Sequence, residues 1–307
     1  MTCFFSVHEG PSIDAGRRGS RGAGFCTESG VRSRVVTEGP RRRPSGGDPA
    51  PFEVIVRDRG VPVLDPRTTR GALHELLRRA PRDAPVAARV TVDNDYTLPL
   101  GAGFGVSGAC ALAATLAANE ALELRLPFAD CVAAAHVGEV EARSGLGDVV
   151  AQAAGGFEAR LREGAPPHGL LSALPADAES LLLVSFGPVH TIDFLARRDR
   201  VTAVNAEGER CLALLLASPS LPAAFRLGRG FAAAVGLVSD RAQALLDAAA
   251  TARVEATVAL LGDSLVFLDP PPRLAAAAAG AGAPFVERTR LSQSGAALAP
   301  PGSPPMD

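Results

Sequence analysis

The chain has 307 residues, 47% of them hydrophobic, and a formal net charge of -2. That length suits two modest domains or one large one, and the balanced charge offers no electrostatic footprint for nucleic acid. Every basic residue is Arg and none is Lys. Schiff-base and P-loop lysine chemistry are thereby excluded, and any cation at a site must be Arg, protonated His or a metal.

Five cysteines (Cys3, Cys26, Cys110, Cys131, Cys211) are scattered, and none forms a C-x-x-C pair. This argues against a disulfide framework and a structural zinc site, and suits a reducing cytoplasm. The N-terminus lacks the basic flank and long apolar core of a signal peptide. The apolar run Ala109 to Ala118 is much shorter than the ~20 residues that span a bilayer. The expectation is a cytoplasmic protein with no membrane role.

Met1 to Val7 reads as the end of a strand. Glu9 to Gly24 reads as a loop rich in Gly, Ser and Arg, either a solvated turn or a substrate loop with Ser and Arg donors. Gly30 to Thr37 alternates like a strand, and Glu38 to Pro51, with Arg41-Arg42-Arg43, reads as a mobile loop. Phe52 to Val56 is a strand by its β-branched residues. Thr68 to Arg79 can form a helix with Leu73, Leu76 and Leu77 on one face, ended by Pro81 and Pro85. Val86 to Val92 is a strand leading to Pro99-Leu100-Gly101-Ala102-Gly103-Phe104-Gly105-Val106-Ser107-Gly108-Ala109.

Three alternate glycines there let the backbone turn its N–H groups inward, and the helix that follows points its positive end at the same spot. Loop and helix end together form an anion site suited to a polyphosphate. The Gly103-x-Gly105-x-x-Gly108 spacing also matches a dinucleotide fingerprint. In that motif the first glycine follows its strand almost at once, whereas about ten residues separate Val92 from Gly103. A Walker loop needs the missing Lys.

The helix from Ser107 runs to about Glu123, and a second opens at Pro127 and continues to about Arg143. Ser144-Gly145-Leu146-Gly147-Asp148 breaks the chain before a short helix to Ala154. Phe157 to Arg162 and Leu181 to Phe186 read as strands. Ala203 to Ala217, Leu221 to Leu237 and Asp240 to Ala252 read as helices, and Val254 to Phe267 as a strand pair turning at Gly262-Asp263. The Ala-, Gly-, Pro- and Ser-rich remainder from Ala275 is expected to be disordered.

Ser107 can serve as a helix N-cap or give its hydroxyl to Mg²⁺ or a phosphate. His136, Glu139 and Arg143 share one helix face, so Glu139 is a candidate metal carboxylate or half of a surface pair with Arg143. Asp148 is an N-cap or the group that orients an accepting hydroxyl.

Pro99 to Ala109 resembles the phosphate loop of the GHMP kinases, with Phe104 and Val106 replacing commoner choices. Within that superfamily the chain resembles the archaeal pantoate kinases. The matching segments include Cys3-Phe4-Phe5, Gly19 to Gly24, His136 to Glu141, Gly145-Leu146-Gly147-Asp148-Val149-Val150-Ala151-Gln152, Gly155-Gly156 and Ala256 to Phe267. Family members usually carry a Pro-Gly-His-Ile-like segment just before the Phe-Phe pair, which this chain starts too late to contain. The Lys partner of the aspartate in some GHMP kinases also has no counterpart here.

The resemblance implies an α+β, two-domain GHMP kinase fold: a ribosomal protein S5 domain 2-like, ATP-binding domain (1–165) and a C-terminal α/β sandwich (166–274), with 275–307 as tail. It implies ATP bound by Pro99, Gly101, Ala102, Gly103, Phe104, Gly105, Val106, Ser107, Gly108 and Ala109, with Mg²⁺ on Ser107 and Glu139. Catalysis then falls to Ser107, Glu139 and Asp148. Arg160 fits a substrate carboxylate by resemblance, with Ser20, His136 and Thr191 as further substrate contacts. The implied reaction is phosphorylation of (R)-pantoate to 4-phosphopantoate on the archaeal route to coenzyme A, by a cytoplasmic protein and possible homodimer. Alternatives are a GHMP kinase for mevalonate or homoserine, a non-catalytic nucleotide-binding protein and a dinucleotide oxidoreductase.

Overall fold

The computed structural model describes residues 1–9, 14–41, 52–177, 179–188 and 198–300. Its strands form three four-stranded sheets. The first sheet is antiparallel, in the order β1 (Thr2–His8), β2 (Gly19–Phe25), β7 (Phe157–Arg162), β8 (Leu170–Leu174). The second runs β3 (Val31–Arg41), β6 (Val86–Tyr96), β4 (Glu53–Asp58), β5 (Val61–Pro62), with β4 and β6 parallel. The third runs β10 (Ala256–Ala259), β11 (Gly262–Leu268), β9 (Ser180–Pro188), β12 (Phe285–Arg290).

Burial explains why these segments pair. In β6, Val90, Val92 and Asn94 alternate inward, the period of a strand covered on one face. In β9, Leu181, Leu182, Leu183 and Val184 are all fully buried, as a central strand covered on both faces must be. Helices α1 (Arg67–Arg79), α2 (Val106–Ala121) and α3 (Phe128–Glu141) build one core over the second sheet. A second core joins the first and third sheets through helices Arg198–Ala217, Leu221–Ala234, Asp240–Thr251 and Pro272–Gly280. Ser220 and Ser239 cap two of those helices by accepting from the amides of Ala223 and Ala242.

Helix α3 positions the site. Every residue from Cys131 to Val140 is buried, so the helix has no solvated face. It crosses α1 so closely that a Cβ on Gly138 would stand 2.5 Å from the Ala72 amide nitrogen and 2.6 Å from the Thr68 carbonyl. Glu139, the next residue, is therefore carried into the interior.

Several expectations need correction. The segment 19–24, expected as loop, is strand β2, because its small residues pack between β1 and β7. Strand β3 continues through Glu38 to Arg41 because it pairs with Val86 to Arg89; residues 42–51 lie outside those described. The β10–β11 turn falls at Leu260–Leu261 rather than Gly262–Asp263, since Gly262 already pairs with Pro188. Strand β8 was not anticipated. Its pairing with β7 means that a domain boundary at 165 would sever one sheet.

The largest correction concerns the stretch after Ala275. Pro272–Gly280 is a helix, Phe285–Arg290 pairs along the whole of Ser180 to Ser185, and Leu291 bridges Thr27. The chain then runs along α4 (Asp148–Ala154): the Gly156 amide donates to the Ser292 carbonyl and the Ala296 amide to the Gln152 carbonyl, each at 2.9 Å. Backbone hydrogen bonds order a segment whose side chains carry little apolar surface. Residues 301–307 lie outside the described residues. Truncation after Gly282 is expected to lower the melting temperature by roughly 10 °C or more, because it strips an edge from β9 and its neighbours. An unchanged thermal transition would contradict the pairing.

Candidate active site

Gly101, Gly103 and Gly105 all take positive φ, at 75°, 81° and 73°. Only glycine enters that region without strain, so the alternation seen in the sequence is a conformational requirement. A Cβ at Gly103 would also lie 2.6 Å from the carbonyl oxygens of both Ala259 and Leu260. The loop thus rests on the β10–β11 turn of another sheet. Gln152 Nε2 donates to the Gly105 carbonyl at 2.8 Å and ties the loop to α4.

Helix α2 begins at Val106 with left-handed Gly105 as its N-cap and no side-chain cap. Ser107 is therefore inside the first turn, not at the cap, and its hydroxyl is spared that duty. The uncapped amides and the helix dipole fit a phosphate group.

Opposite the loop lies the turn between α3 and α4. Gly147 is the N-cap and Asp148 the first residue of α4, so capping is not what Asp148 does. Its Oδ1 accepts from Thr2 Oγ1 at 3.3 Å. Its Oδ2 faces the phosphate loop, 3.6 Å from where a Cβ on Gly105 would be.

Glu139 is 1% exposed, and neither of its carboxylate oxygens has a hydrogen-bond partner. Oε1 stands 3.0 Å from the Cβ position of Gly108 and also abuts Gly145. Burial raises its pKa well above the usual range, and the negative charge of Asp148 adds to that; the amides of Val149 and Asp148 and the Arg160 charge pull the other way. Such an orphaned carboxylate is costly unless something positive satisfies it. Among the described residues no group of three or more His, Cys, Asp or Glu gathers to hold a metal. One carboxylate, one hydroxyl at Ser107 and a polyphosphate are the hard-oxygen set that magnesium accepts while keeping waters, so the residues present fit that ion.

His136 is fully buried and does not line the cleft. Its Nε2 donates to the Arg18 carbonyl at 2.8 Å, and burial pushes its pKa down to about 4, so the ring is neutral. It fixes the segment that leads to Ser20. Its Nδ1, 3.8 Å from Glu139 Oε2, is too distant for a hydrogen bond.

Arg160 is 2% exposed and pairs with the fully buried Glu158, whose pKa burial pushes up to about 7 against the pull of Arg160. Arg160 is behind the cleft wall rather than on it. Its Nη2 donates to Thr2 Oγ1 at 3.4 Å, while its Nε is buried without a partner. That Nε is 3.2 Å, and Ser20 Oγ 2.7 Å, from the point a Cβ on Gly147 would take. Two donors therefore converge over a residue with no side chain.

Between loop and turn is a cleft of about 320 Å³ lined by Gly101, Gly103, Gly105, Ser107, Ser20 and Asp148 among others. Ser107, Asp148 and Ser20 are thus brought together as expected. Glu139 lies just behind the wall. Pro99, Ala102, Phe104, Gly108 and Ala109 shape the loop and helix start without lining the cleft. Thr191 lies outside the described residues. Sequence reasoning missed Thr2, Arg143, Ser144 and Gln152. Gln152 was visible four residues after Asp148, on the same face of α4. Arg143, expected on the face of Glu139, leaves the helix with φ 55° and lines the cleft instead.

The chain is similar to known proteins in sequence and in fold. Residues 67–156 match the family model for the GHMP kinases N terminal domain. Over that segment the chain is similar to the GHMP kinases, and its mixed α+β fold is like theirs. The similarity is to archaeal pantoate kinases: one from Methanocaldococcus jannaschii is 35% identical over 144 residues, covering 47% of this chain and 52% of the relative. Another, from Methanospirillum hungatei, is 26% identical over 257 residues, covering 83% and 79%. The match to the first spans about half of that relative's length. A solved structure described as a phosphotransferase related to the CoA biosynthesis pathway superposes with a TM-score of 0.79 at 25% identity, over 96% of this chain and 94% of that one.

Gly103→Ala is expected to cost at least about 2 kcal/mol, from positive φ and the two carbonyl contacts. Denaturant unfolding reads this directly, and a loss within experimental error would refute the close approach.

Proposed function

We propose that this chain transfers the γ-phosphoryl group of ATP to the primary hydroxyl of pantoate, giving ADP and 4-phosphopantoate. One observation carries the reading: the free carboxylate oxygen of Asp148 faces the same glycine loop whose amides and helix end suit phosphates. Transfer needs alignment and charge neutralisation more than covalent chemistry. Asp148 Oδ2 holds the alcohol in line and takes its proton as the new O–P bond forms and the bond to the ADP oxygen breaks. Mg²⁺ bound by Ser107 and Glu139 would neutralise phosphate charge.

The acceptor reading rests on the cleft and on the relatives. Ser20 Oγ lines the cleft, where it can donate to a carboxylate or its neighbouring hydroxyl, and the Arg160 guanidinium, buried behind the wall, adds positive charge on that side. Phe5, Val140 and Leu146 supply an apolar wall for two methyl groups. The matched relatives are named pantoate kinases. Five free cysteines support a reducing, cytoplasmic setting. No helix among the described residues is long and apolar enough to cross a membrane. A homodimer belongs to the same reading, and sedimentation or light scattering tests it.

The direct assay is phosphate transfer from ATP to pantoate, mevalonate and homoserine. Pantoate is expected to be the preferred acceptor, and equal or better rates with another alcohol would overturn the assignment. Asp148→Asn is expected to cut turnover by about 10²- to 10⁴-fold with little change in ATP affinity. Near wild-type turnover would remove Asp148 from the acceptor side. Glu139→Gln should raise the Mg²⁺ concentration for half-maximal turnover by roughly tenfold or more, which a metal titration reads.

A further inference from the structure

We infer that Thr2 is a positioning residue for Asp148, and that the buried Glu158–Arg160 pair acts on the carboxylate through it. This rests on the kinase reading for its catalytic meaning, but the contact itself stands apart from it. Without Lys, the permanently charged side chain near Asp148 has to be Arg. Arg160 is the buried arginine whose Nη2 reaches the hydroxyl that in turn reaches Asp148.

The direction of the chain is fixed by chemistry. A guanidinium only donates and never loses its proton in a protein. At 3.4 Å from Arg160 Nη2, Thr2 Oγ1 must accept, which leaves its own proton to give away. The acceptor in reach is Asp148 Oδ1, at 3.3 Å. Both bonds are long, as hydrogen bonds at a catalytic centre often are before substrate closes it. Glu158 engages Arg160 through Nη1, and Arg160 reaches Thr2 rather than pairing with Asp148 directly.

The consequence is a division of labour between the two carboxylate oxygens. Oδ1 is occupied by Thr2, and Oδ2 is left facing the phosphate loop. A direct Arg–carboxylate pair would tend to engage both oxygens and compete with an alcohol. A hydroxyl relay engages one, locks the rotamer and keeps the full charge of the arginine at a distance. Thr2 itself lines the cleft, and its β-branch limits its own χ1 freedom.

Three variants test this in the whole chain. Thr2→Val keeps the shape and removes the hydroxyl; it is expected to lower kcat about tenfold while the KM for ATP stays within about twofold. Thr2→Ser restores the hydroxyl and should recover most of that loss. A purely structural Thr2 would instead leave Ser no better than Val, or would move both KM values with kcat, and either result overturns the proposal. The second measurement is a thermal-unfolding cycle with Thr2→Val, Asp148→Asn and the double variant. The hydrogen bond predicts that the melting-temperature losses fail to add, and strictly additive losses overturn it. That cycle needs no activity, so a protein that phosphorylates none of the alcohols would refute the kinase reading and still report on the Thr2–Asp148 bond.

Discussion

The structure depends on a carboxylate forced into the interior with no hydrogen bond of normal geometry, eased only by the amides at the start of α4 and the charge of Arg160. Helix α3 is buried on every side from Cys131 to Val140, and its close crossing with α1 fixes where Glu139 goes. The glycines around it matter as much as the helix, because Gly108 and Gly145 leave the space in which its Oε1 stands. Desolvation alone makes this arrangement unfavourable for the ionised group. A fold that keeps such a residue beside a cluster of uncapped helix amides has left two opposite charges' worth of binding unspent, one for anions and one for a cation. A metal–polyphosphate complex carries both, and would satisfy both ends at once.

Charge placement in a chain without lysine follows from the same constraint. Arginine cannot be tuned by deprotonation, so it is either paired or held away from groups whose charge must stay available. Arg160 is paired with Glu158 and set behind the wall. Arg143 stands on the wall, and its side chain makes no hydrogen bond or ion pair among the described residues. His136 supplies no charge at all, being neutral and committed to the Arg18 carbonyl. The cleft therefore joins a backbone anion site to two carboxylates, with its cations at the margin.

What was legible in the sequence was what backbone conformation dictates. The glycine alternation from Gly101 to Gly105 can be read because no other residue adopts those dihedrals without strain. For Asp148 the glycine-bounded turn marks a helix start and leaves cap or site open; the cap proves to be Gly147. The residues that were missed are those whose meaning is tertiary. Thr2 sits 146 positions from Asp148 along the chain, and nothing in its local pattern announces the contact. His136 and Arg160, expected as substrate contacts, are buried a layer behind the cleft wall, because depth of burial is a tertiary property that neither helix spacing nor a matched motif shows.

The stretch after Ala275 failed for a different reason, and it bears on the site. Composition judges a segment by the apolar surface that it can bury, and this one has little. Its order comes instead from main-chain bonds to β9, to Cys26 and to the end of α4. Helix α4 has only seven residues, too few to be stable alone, and it carries Asp148 at one end. Gln152 ties its middle to the phosphate loop, and residues 292–296 clamp its far end. A tail that looks dispensable by composition is thus part of what holds Asp148 still, through a helix that could not hold itself.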